Sequence, residues 1–517
     1  MLISYFAPRP DTFSTFPDAV PVSDPNPLPP TMGLAGVLCL GASTAMNDTE
    51  CVSPKDERVR QFALLLSAVF LSRLAFAFMV WQVSGPAAFL SPDTSTYVAP
   101  AQSLLHGSFS NNGAPEIFRT PGFPLLLVPS LAFQHLIVFS VFENLMLSVA
   151  SGWLIWRIAA ELFPGSSATT WAVLLYCLEP VGLLYSEKIL SETLFSTQVL
   201  LFVWLFIGVL RSPAYWQVML SALALAWATY TRPASLYLSV WLIPLLCFFP
   251  RVLSMRRRAV RAAVFFLVFA LVLAPWFVRN ARVADYPGFS SVSDQALYFY
   301  SSAAVQAKLE RKSLTNVQRE LGWNDQERYF QLHPEQRAWL QGRIARFQRA
   351  EAERIILAHP ATYFWIHARG CAIIILDTGV TEALKSLQQY PESGGLLSRA
   401  ADEGLFRATL WLIRQYPVAV LGLLLLGMQL LLYYVLAVNG LRRMPLEASL
   451  LFTSLFLYFV LVSGTPAAVA RYRVPVMPLV CIAAASGTRR QRERQEVRQT
   501  LTSRAADMSP SLASPKL

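Results

Sequence analysis

The chain has little charge and few cysteines for its length, and each shortage argues against a class of protein. Only 15% of the 517 residues are charged and 54% are hydrophobic, which is outside the balance of a soluble globular domain. The six cysteines are scattered, and Cys177, Cys247 and Cys481 fall inside apolar runs. With neither a disulfide framework nor a metal-ligand spacing, structural zinc and dithiol redox chemistry are not expected.

The net charge of +11 does not indicate a nucleic-acid partner. The basic residues form short clusters beside apolar runs, which is the pattern of cytoplasmic membrane anchors. These clusters are "DERVR" before the first apolar run, "RVLSMRRRAVR" (251–261), "LRRM" (441–444) and "RRQRERQEVR" (489–498). We expect all four on the cytoplasmic side and membrane lipids as partners.

The two ends of the chain differ in composition from the middle. Residues 1–57 are rich in Pro, Ser and Asp and are predicted to be a disordered leader, with Met46 as an alternative start to Met1. Residues 488–517 are predicted to be a basic cytoplasmic tail. The middle predicts an all-α fold, a polytopic transmembrane helix bundle of about 10–12 membrane helices with external juxtamembrane helices.

Ten apolar runs approach the roughly 20 residues that cross a bilayer. The predicted spans are 62–83, 138–157, 167–185, 189–210, 214–231, 234–250, 259–278, 416–439, 446–463 and 471–487. Two shorter stretches, 123–136 and 360–376, are ambiguous between spans and helices that dip into the membrane. All four basic clusters fall on the cytoplasmic side only if neither stretch crosses the membrane, so we favour the interface for both.

Counting spans from the cytoplasmic clusters places five segments on the non-cytoplasmic face: 85–137, 186–188, 232–233, 279–415 and 464–470. We predict a catalytic membrane module over 58–278 with the external loop 85–137, and C-terminal membrane helices over 416–487. In 279–415, charged and apolar residues alternate at helical intervals, which indicates amphipathic or interfacial helices.

The first external loop has an acid near one end and a base near the other. Asp93 stands in "SPDTSTYVAP" just after the first span, and Arg119 stands in "RTPGFP" before the next apolar stretch. Asp-Thr-Ser-Thr is also a good helix N-cap signature, and "RTPGFP" also fits a turn that enters a helix. Both alternatives stay open at this point.

The second external turn, "YSEKILSETLF", places Glu187, Lys188 and Glu192 at a helix start within apolar sequence. A carboxylate at membrane depth is costly and normally has a partner. Because the two glutamates are five residues apart, they would lie on different faces of one helix, and only one is expected to face inward. The alternative is a glutamate in a surface loop, which suits Glu187 better than Glu192.

Arginines recur at helix ends on the predicted non-cytoplasmic face, opposite to the side where the positive-inside rule concentrates them. They are Arg232 in "TYTRPASLY", Arg279 beside Asn280 in "APWFVRNARV", and Arg471 with Tyr472 and Arg473 in "VARYRVPVMP". One arginine alone could extend to lipid headgroups, but several at one face indicate a bound anion. Arg73, inside the first span, either pairs with an inward carboxylate or extends to the headgroups.

The ordered set of motifs resembles that of membrane glycosyltransferases of the GT-C class, in the bacterial branch related to protein O-mannosyltransferases, lipid A aminoarabinose transferase and Rgt-type sugar transferases. The resemblance rests on the loop from Asp93 to Tyr97 with "RTPGFP", on "YSEKILSETLF", on "RP" at 232–233, on "PWFVRN" and on "RYRVPVMP". It implies that Asp93 is the catalytic base and that Glu192 lies in the same cavity, and we predict both as catalytic residues. It also implies that 279–415 covers the cavity as a lid or helps to hold the acceptor; the alternative is a solvated packing domain. Relatives often have two adjacent acids in the first loop, whereas Thr94 follows Asp93 here, which weakens the case for a divalent cation; no other cofactor is implied.

The resemblance also implies a polyprenyl-phosphate sugar donor and transfer to an envelope lipid, glycan or protein outside the cytoplasm of a bacterial cell. The sequence agrees, because it has no soluble domain for a nucleotide sugar. Guanidinium groups bind phosphate oxygens, and a carboxylate can accept a proton from an acceptor hydroxyl in an inverting displacement. The predicted substrate-binding residues are Tyr97, Arg119, Glu187, Lys188, Arg232, Arg279, Asn280, Arg471 and Tyr472.

Two other functions compete with glycosyl transfer. A transporter or lipid flippase typically shows internal repeats and broken helices that meet at the bilayer midplane, whereas here the polar motifs gather at one face and no repeat is evident. An O-antigen polymerase or ligase also handles lipid-linked glycans, but the first-loop acid is not expected in it. Mutation of Asp93 separates these alternatives.

Overall fold

The computed structural model of the chain describes residues 54–391, 395–396, 399 and 404–487. These residues fold almost entirely into α-helices, which confirms the predicted all-α class. The predicted cytoplasmic tail and residues 1–53 of the predicted leader lie outside the described residues. Residues 54–57, also assigned to the leader, belong to the first helix instead.

The described residues contain the following helices and strands. The α-helices are α1 (Pro54–Ser84), α2 (Thr94–Leu105), α3 (Gly122–Ala132), α4 (Leu136–Leu162), α5 (Ala168–Leu178), α6 (Pro180–Tyr185), α7 (Glu192–Arg211), α8 (Tyr215–Thr231), α9 (Leu238–Trp241), α10 (Ile243–Phe248), α11 (Met255–Ala284), α12 (Val292–Ala296), α13 (Ala303–Glu310), α14 (Leu314–Glu320), α15 (Gln326–Leu332), α16 (Gln341–Ala358), α17 (Pro360–Leu376), α18 (Val380–Ser386), α19 (Leu405–Gln415), α20 (Pro417–Leu441), α21 (Leu446–Ser463) and α22 (Met477–Gly487). Short 3₁₀ or π turns lie at Pro86–Phe89, Pro233–Ser235, Leu297–Ser302, Pro334–Ala338 and Ala470–Arg473. The strands are β1 (Ser110–Asn111) and β2 (Ala114–Pro115).

Six of the described helices are long and apolar enough to cross a membrane: α1, α4, α7, α11, α20 and α21. Shorter apolar helices lie at α3, at α5, at Pro233–Phe248 and at α22. At a rise of 1.5 Å per residue, the 11 residues of α3 span about 16 Å, roughly half of the hydrocarbon core. The stretch 123–136 is therefore too short to cross as one helix.

Two predicted spans are wrong as single helices because proline interrupts them. The span 167–185 breaks between α5 and α6, where Pro180 starts a new helix and the Glu179 carboxylate accepts the backbone N–H groups of Val181 and Gly182. The span 234–250 divides into α9 and α10, with a proline in the first turn of α10. The span 471–487 is also shorter than predicted, since its first residues form a turn before α22.

Helix α7 is the most buried of the six long helices and packs between α4 and α8. Its side chains Phe195, Phe202 and Phe206 are fully buried, and Phe265 and Phe459 from other helices pack against them. This apolar core fixes the position of the N-terminus of α7, which carries Glu192. Residues that follow or precede other helices can therefore be held against Glu192 at defined positions.

The loop between α2 and α3 contains a small β-hairpin that was not predicted from the sequence. Strands β1 and β2 pair in antiparallel register, with Ser110 opposite Pro115. The two turn residues, Asn112 and Gly113, both have positive φ, which is the Asn-Gly signature of a tight hairpin. The hairpin directs the chain to Glu116, whose side chain supports the site described below.

Arg73 follows neither of the two alternatives given for it. It is buried in α1, and its Nη2 donates to the backbone carbonyl of Tyr176 at 3.0 Å, with the guanidinium 4.3 Å from the centre of the Tyr176 ring. Its Nη1 donates to Ser72. Arg73 thus satisfies a carbonyl close to the break between α5 and α6, which explains how this charge is tolerated in an apolar helix.

Candidate active site

Two carboxylates and three guanidinium groups from distant parts of the chain meet in one place, which we call the carboxylate–arginine cluster. Its members are Asp93 before α2, Arg119 before α3, Glu192 at the start of α7, Arg232 after α8 and Arg471 in the turn before α22. Each side chain sits at or near a helix end, so helix packing alone brings them together. The structure thus unites five of the residues predicted from sequence.

Arg471 bridges the two carboxylates. Its Nη1 donates to Asp93 Oδ2 at 2.7 Å, and its Nε donates to Glu192 Oε1. Arg232 Nη1 donates to the same Glu192 oxygen at 2.8 Å. The Glu192 side chain is 0% exposed whereas that of Asp93 is 25% exposed, so the bridge links a buried acid to an accessible one.

Arg119 holds the other oxygen of Asp93. Its Nη2 donates to Asp93 Oδ1 at 3.0 Å, its Nε to Thr96 at 2.8 Å and its Nη1 to the Tyr97 hydroxyl at 3.0 Å. The guanidinium also lies 4.2 Å from the centre of the Tyr97 ring. Each carboxylate oxygen of Asp93 therefore has its own arginine, and Tyr97 belongs to the same network.

The two local alternatives for the first loop are resolved by these contacts. Asp93 occupies the N-cap position of α2, but its side chain makes no capping hydrogen bond. The "RTPGFP" motif does form the turn that enters α3, with Pro121 at the N-cap position. The backbone thus follows the turn interpretation, while the side chains of Asp93 and Arg119 point into the cluster.

The electrostatics of the cluster favour an anion. Burial raises the pKa of Asp93, but the guanidinium groups of Arg119 and Arg471 outweigh this effect and hold that pKa below its usual range. Three guanidinium groups against two carboxylates leave one net positive charge, so the cluster attracts anions. Tyr472, next to Arg471, lines the same region, with its ring centre 6.0 Å from the Arg232 guanidinium.

The same composition does not fit a divalent cation. Magnesium and calcium need several oxygen ligands that are free to bind the ion, whereas here arginines occupy three of the four carboxylate oxygens. Over the ranges that the structure describes, no group of three or more His, Cys, Asp or Glu could hold a metal ion.

Four supporting residues were not identified from the sequence. Glu116 accepts the backbone N–H of Arg119 at 2.8 Å, which orients this arginine. Asp377 Oδ2 accepts the backbone N–H of Ala470 at 2.8 Å and so fixes the turn that carries Arg471. The other two are Thr96 and Ser191, which contact Arg119 and Tyr97. Only Glu116 had a sequence signal, since it follows the Asn-Gly turn and lies three residues before Arg119.

Arg279 and Asn280 are not brought to the cluster. Arg279 donates to the backbone carbonyls of Phe109 and Glu116, and so clamps the first loop to the end of α11. The Asn280 amide donates to the carbonyls of Gly288 and Phe289, each at 3.0 Å. Both side chains therefore hold the backbone together. Helix α11 continues to Ala284, six residues past the predicted boundary at 278.

Glu187 and Lys188 form a separate buried pair. The surface-loop alternative does not hold for Glu187, which is 1% exposed and lies in the turn before α7. The expectation that only one of the two glutamates faces inward is wrong, since Glu187 and Glu192 are both buried. Lys188 Nζ is 3.7 Å from Glu187 Oε1 and donates to the Ala88 carbonyl and to Ser386. Burial, partly offset by Lys188, raises the pKa of Glu187 to about 8.

The fold and its apolar helices are those of a helical membrane protein. No protein-family model matches the chain, and no curated protein matches it. Function is therefore inferred from the motifs in the sequence and from the geometry of the carboxylate–arginine cluster.

Proposed function

We propose that the chain is an integral membrane glycosyltransferase that moves a sugar from a polyprenyl-phosphate donor to an acceptor of the cell envelope, on the non-cytoplasmic face of a bacterial cell membrane. The observation that supports this most is the cluster itself. An accessible carboxylate, Asp93, is held within hydrogen-bond distance of two guanidinium groups at the point where several membrane helices end.

Asp93 accepts the proton of the acceptor hydroxyl as that oxygen attacks the anomeric carbon and the bond to the donor phosphate breaks with inversion. Paired with Arg119 and Arg471, Asp93 is a weak base. When the donor phosphate arrives, its oxygens share the guanidinium donors, and the basicity of Asp93 rises. The same guanidinium groups then stabilise the charge that builds on the departing phosphate.

Glu192 has a positioning role in this mechanism. Because its side chain is completely buried, it does not reach a substrate, but it anchors Arg232 and Arg471 through one shared oxygen. A neutral side chain at this position would leave these arginines free to turn away from Asp93. Positioning of this kind is worth several kcal/mol in catalysis when it fixes reacting groups.

The test of the proposal is Asp93→Asn, which keeps the size of the side chain and removes its basicity. We expect transfer to fall by about 10² to 10⁴-fold, with one polyprenyl-phosphate sugar accumulating in the cells. The measurement is a comparison of lipid-linked sugars and envelope glycans by mass spectrometry. The matched control is Asp285→Asn, which alters an exposed carboxylate paired with Arg346 and should leave both profiles unchanged.

Normal glycans and no accumulated donor in the Asp93→Asn cells would exclude Asp93 as the base. The predicted topology has its own test, because Ser95→Cys and Thr465→Cys should react with a membrane-impermeant thiol reagent from the same side. Labelling of the two positions from opposite sides of the membrane would contradict a shared site.

A transporter or flippase remains the second candidate, because one observation favours it. The α5–α6 break is typical of transporter helices, and Glu179 is buried there with both carboxylate oxygens bonded to backbone N–H groups. If lipid movement is the function, Glu179→Gln abolishes it, while Asp93→Asn leaves reconstituted lipid movement intact. If glycosyl transfer is the function, Asp93→Asn impairs it more than Glu179→Gln does.

A further inference from the structure

A second region of the structure is large enough for a substrate and lies apart from the carboxylate–arginine cluster. It is a groove of about 1230 Å³ between α13, the chain around Arg311, α17, α18 and the loop 465–469. Pockets for small ligands are usually about 300–1000 Å³. A groove of this size suits a larger amphiphile.

One wall of the groove is apolar and belongs to α17. Ile366, Ile373 and Leu376 line it, and Leu376 is 69% exposed. The residues of α17 that line the groove run from Ile366 to Leu376, so they offer hydrocarbon contacts along a length of about 15 Å. A surface of this kind can pack against an acyl or prenyl chain.

The remaining lining is basic. The groove is bordered by five basic and two acidic side chains, which leaves three positive charges in excess. Lys312 pairs with Glu310 and Glu320, and Lys385 pairs with Glu382. Among the residues that the structure describes, Lys308, Arg311 and Arg369 have no ion pair, and all three are exposed.

The groove is connected to the candidate active site through the backbone. Asp377, which lines the groove, accepts the N–H group of Ala470, directly before Arg471. Arg473, two residues after Arg471, donates to the carbonyls of Ile374 and Ile375 at the end of α17. A ligand that contacts α17 therefore lies against the helix that holds the Arg471 turn.

We infer that this groove binds a membrane lipid whose headgroup carries more than one anionic group, with its hydrocarbon chains on α17 and its headgroup on Lys308, Arg311 and Arg369. Three unpaired cations exceed the single negative charge of one phosphate diester. Charge complementarity therefore favours a headgroup with at least two anionic groups. The further inference that this lipid is the acceptor for sugar transfer rests on the proposed function. The inference that the groove binds such a lipid is independent of the proposed function.

The test measures equilibrium binding of fluorescent cardiolipin, a lipid with two phosphates, to the purified full chain in neutral detergent micelles. Phosphatidylglycerol and phosphatidylcholine serve as competitors. We expect cardiolipin to bind about five-fold more tightly than phosphatidylglycerol, because each lipid charge near a basic residue contributes about this factor. Phosphatidylcholine should compete weakest of all, and competition by phosphatidylcholine equal to that of cardiolipin overturns the inference.

Variants identify the groove as the binding site. Arg369→Gln should weaken cardiolipin binding about five-fold, and the combined change of Lys308, Arg311 and Arg369 to Gln should weaken it at least thirty-fold. Arg319→Gln is the matched control, since Arg319 is exposed on neighbouring α14 and does not line the groove. An unchanged affinity in the triple variant overturns the inference.

The apolar wall has a separate readout. Leu376→Gln changes an exposed side chain and should weaken cardiolipin binding several-fold while leaving the binding of inorganic pyrophosphate unchanged. An equal affinity of this variant and the native chain for cardiolipin overturns the assignment of α17. A chain that binds cardiolipin as expected but transfers no sugar contradicts the proposed function alone, and a chain that transfers sugar without this binding contradicts the groove alone.

Discussion

Replacing Arg471 by methionine tests whether the carboxylate–arginine cluster is the structural unit that its contacts suggest. Arg471→Met keeps much of the apolar stem and removes the guanidinium that joins Asp93 to Glu192. Asp93 is 25% exposed, so water replaces its lost donor. Glu192 is fully buried and keeps only Arg232 as its cationic partner.

The magnitude follows from this difference in burial. Breaking a buried ion pair by removing one partner costs about 3–5 kcal/mol, and the remaining contact with Arg232 places this case near the lower end. We therefore expect a loss of about 3 kcal/mol in the free energy of unfolding. Arg346→Met is the control, because it breaks an exposed pair with Asp285, which is worth at most about 1 kcal/mol.

The assay is equilibrium unfolding of the purified full chain in mixed detergent micelles, followed by tryptophan fluorescence. The double variant Arg471→Met/Glu192→Gln removes the uncompensated charge and should lose about 1–3 kcal/mol less than the sum of the two single variants. Additivity within about 0.5 kcal/mol would refute the reasoning, since it would mean that the two side chains act independently.

Three further predictions concern other parts of the chain. Burial raises the pKa of Glu187 to about 8, above the usual 4.5, so the folded state retains this proton and the free energy of unfolding falls as pH rises from about 4.5 to about 8. In the same unfolding assay, Glu187→Gln should flatten this pH dependence. An unaltered pH profile in the variant would contradict the prediction. Arg279→Ala should speed amide hydrogen exchange around Phe109 and Glu116, whose carbonyls lose their donor, and unchanged protection there would show that the clamp is dispensable. Gly440→Ala should destabilise the folded chain by about 1–3 kcal/mol, because the added Cβ would overlap a backbone oxygen of α22. Gly427→Ala on the same helix is the control, since the nearest atom to its Cβ is 3.9 Å away and the change should be neutral or stabilising. Equal effects of the two variants on the free energy of unfolding would refute this prediction.

Much of the candidate site was predictable because its residues break local rules. A charged side chain at the end of an apolar helix is costly unless it has a partner. This holds for a glutamate at a helix start and for an arginine on the predicted non-cytoplasmic face, where the positive-inside rule does not place it. That argument identified Arg232, Arg471 and Glu192 without any structure. The same argument failed for Arg279, which breaks the same rule but satisfies backbone carbonyls instead of a carboxylate.

Breaks within apolar runs were less predictable. The residues on both sides of Glu179 and Pro180 are mainly apolar, so the run 167–185 gave the pattern of one span. Proline was the available signal, since it removes a backbone donor and favours the first turn of a new helix. The buried position of Glu187 had no such signal. The turn that carries Glu187 is held by distant parts of the chain, since Ile189 donates to the Phe89 carbonyl and Lys188 donates to Ser386 in α18.

The sequence by itself determined that the chain is built from apolar helices, because long apolar runs in a low-charge chain have few other stable solutions. It also indicated several of the polar residues at helix ends, such as Glu192 and Arg232, although Arg279 lies inside α11. Only the tertiary structure decided which of these residues meet, since that depends on how helices far apart in sequence pack around α7. For the same reason, only the structure separated the arginines of the cluster from the arginine that clamps a loop.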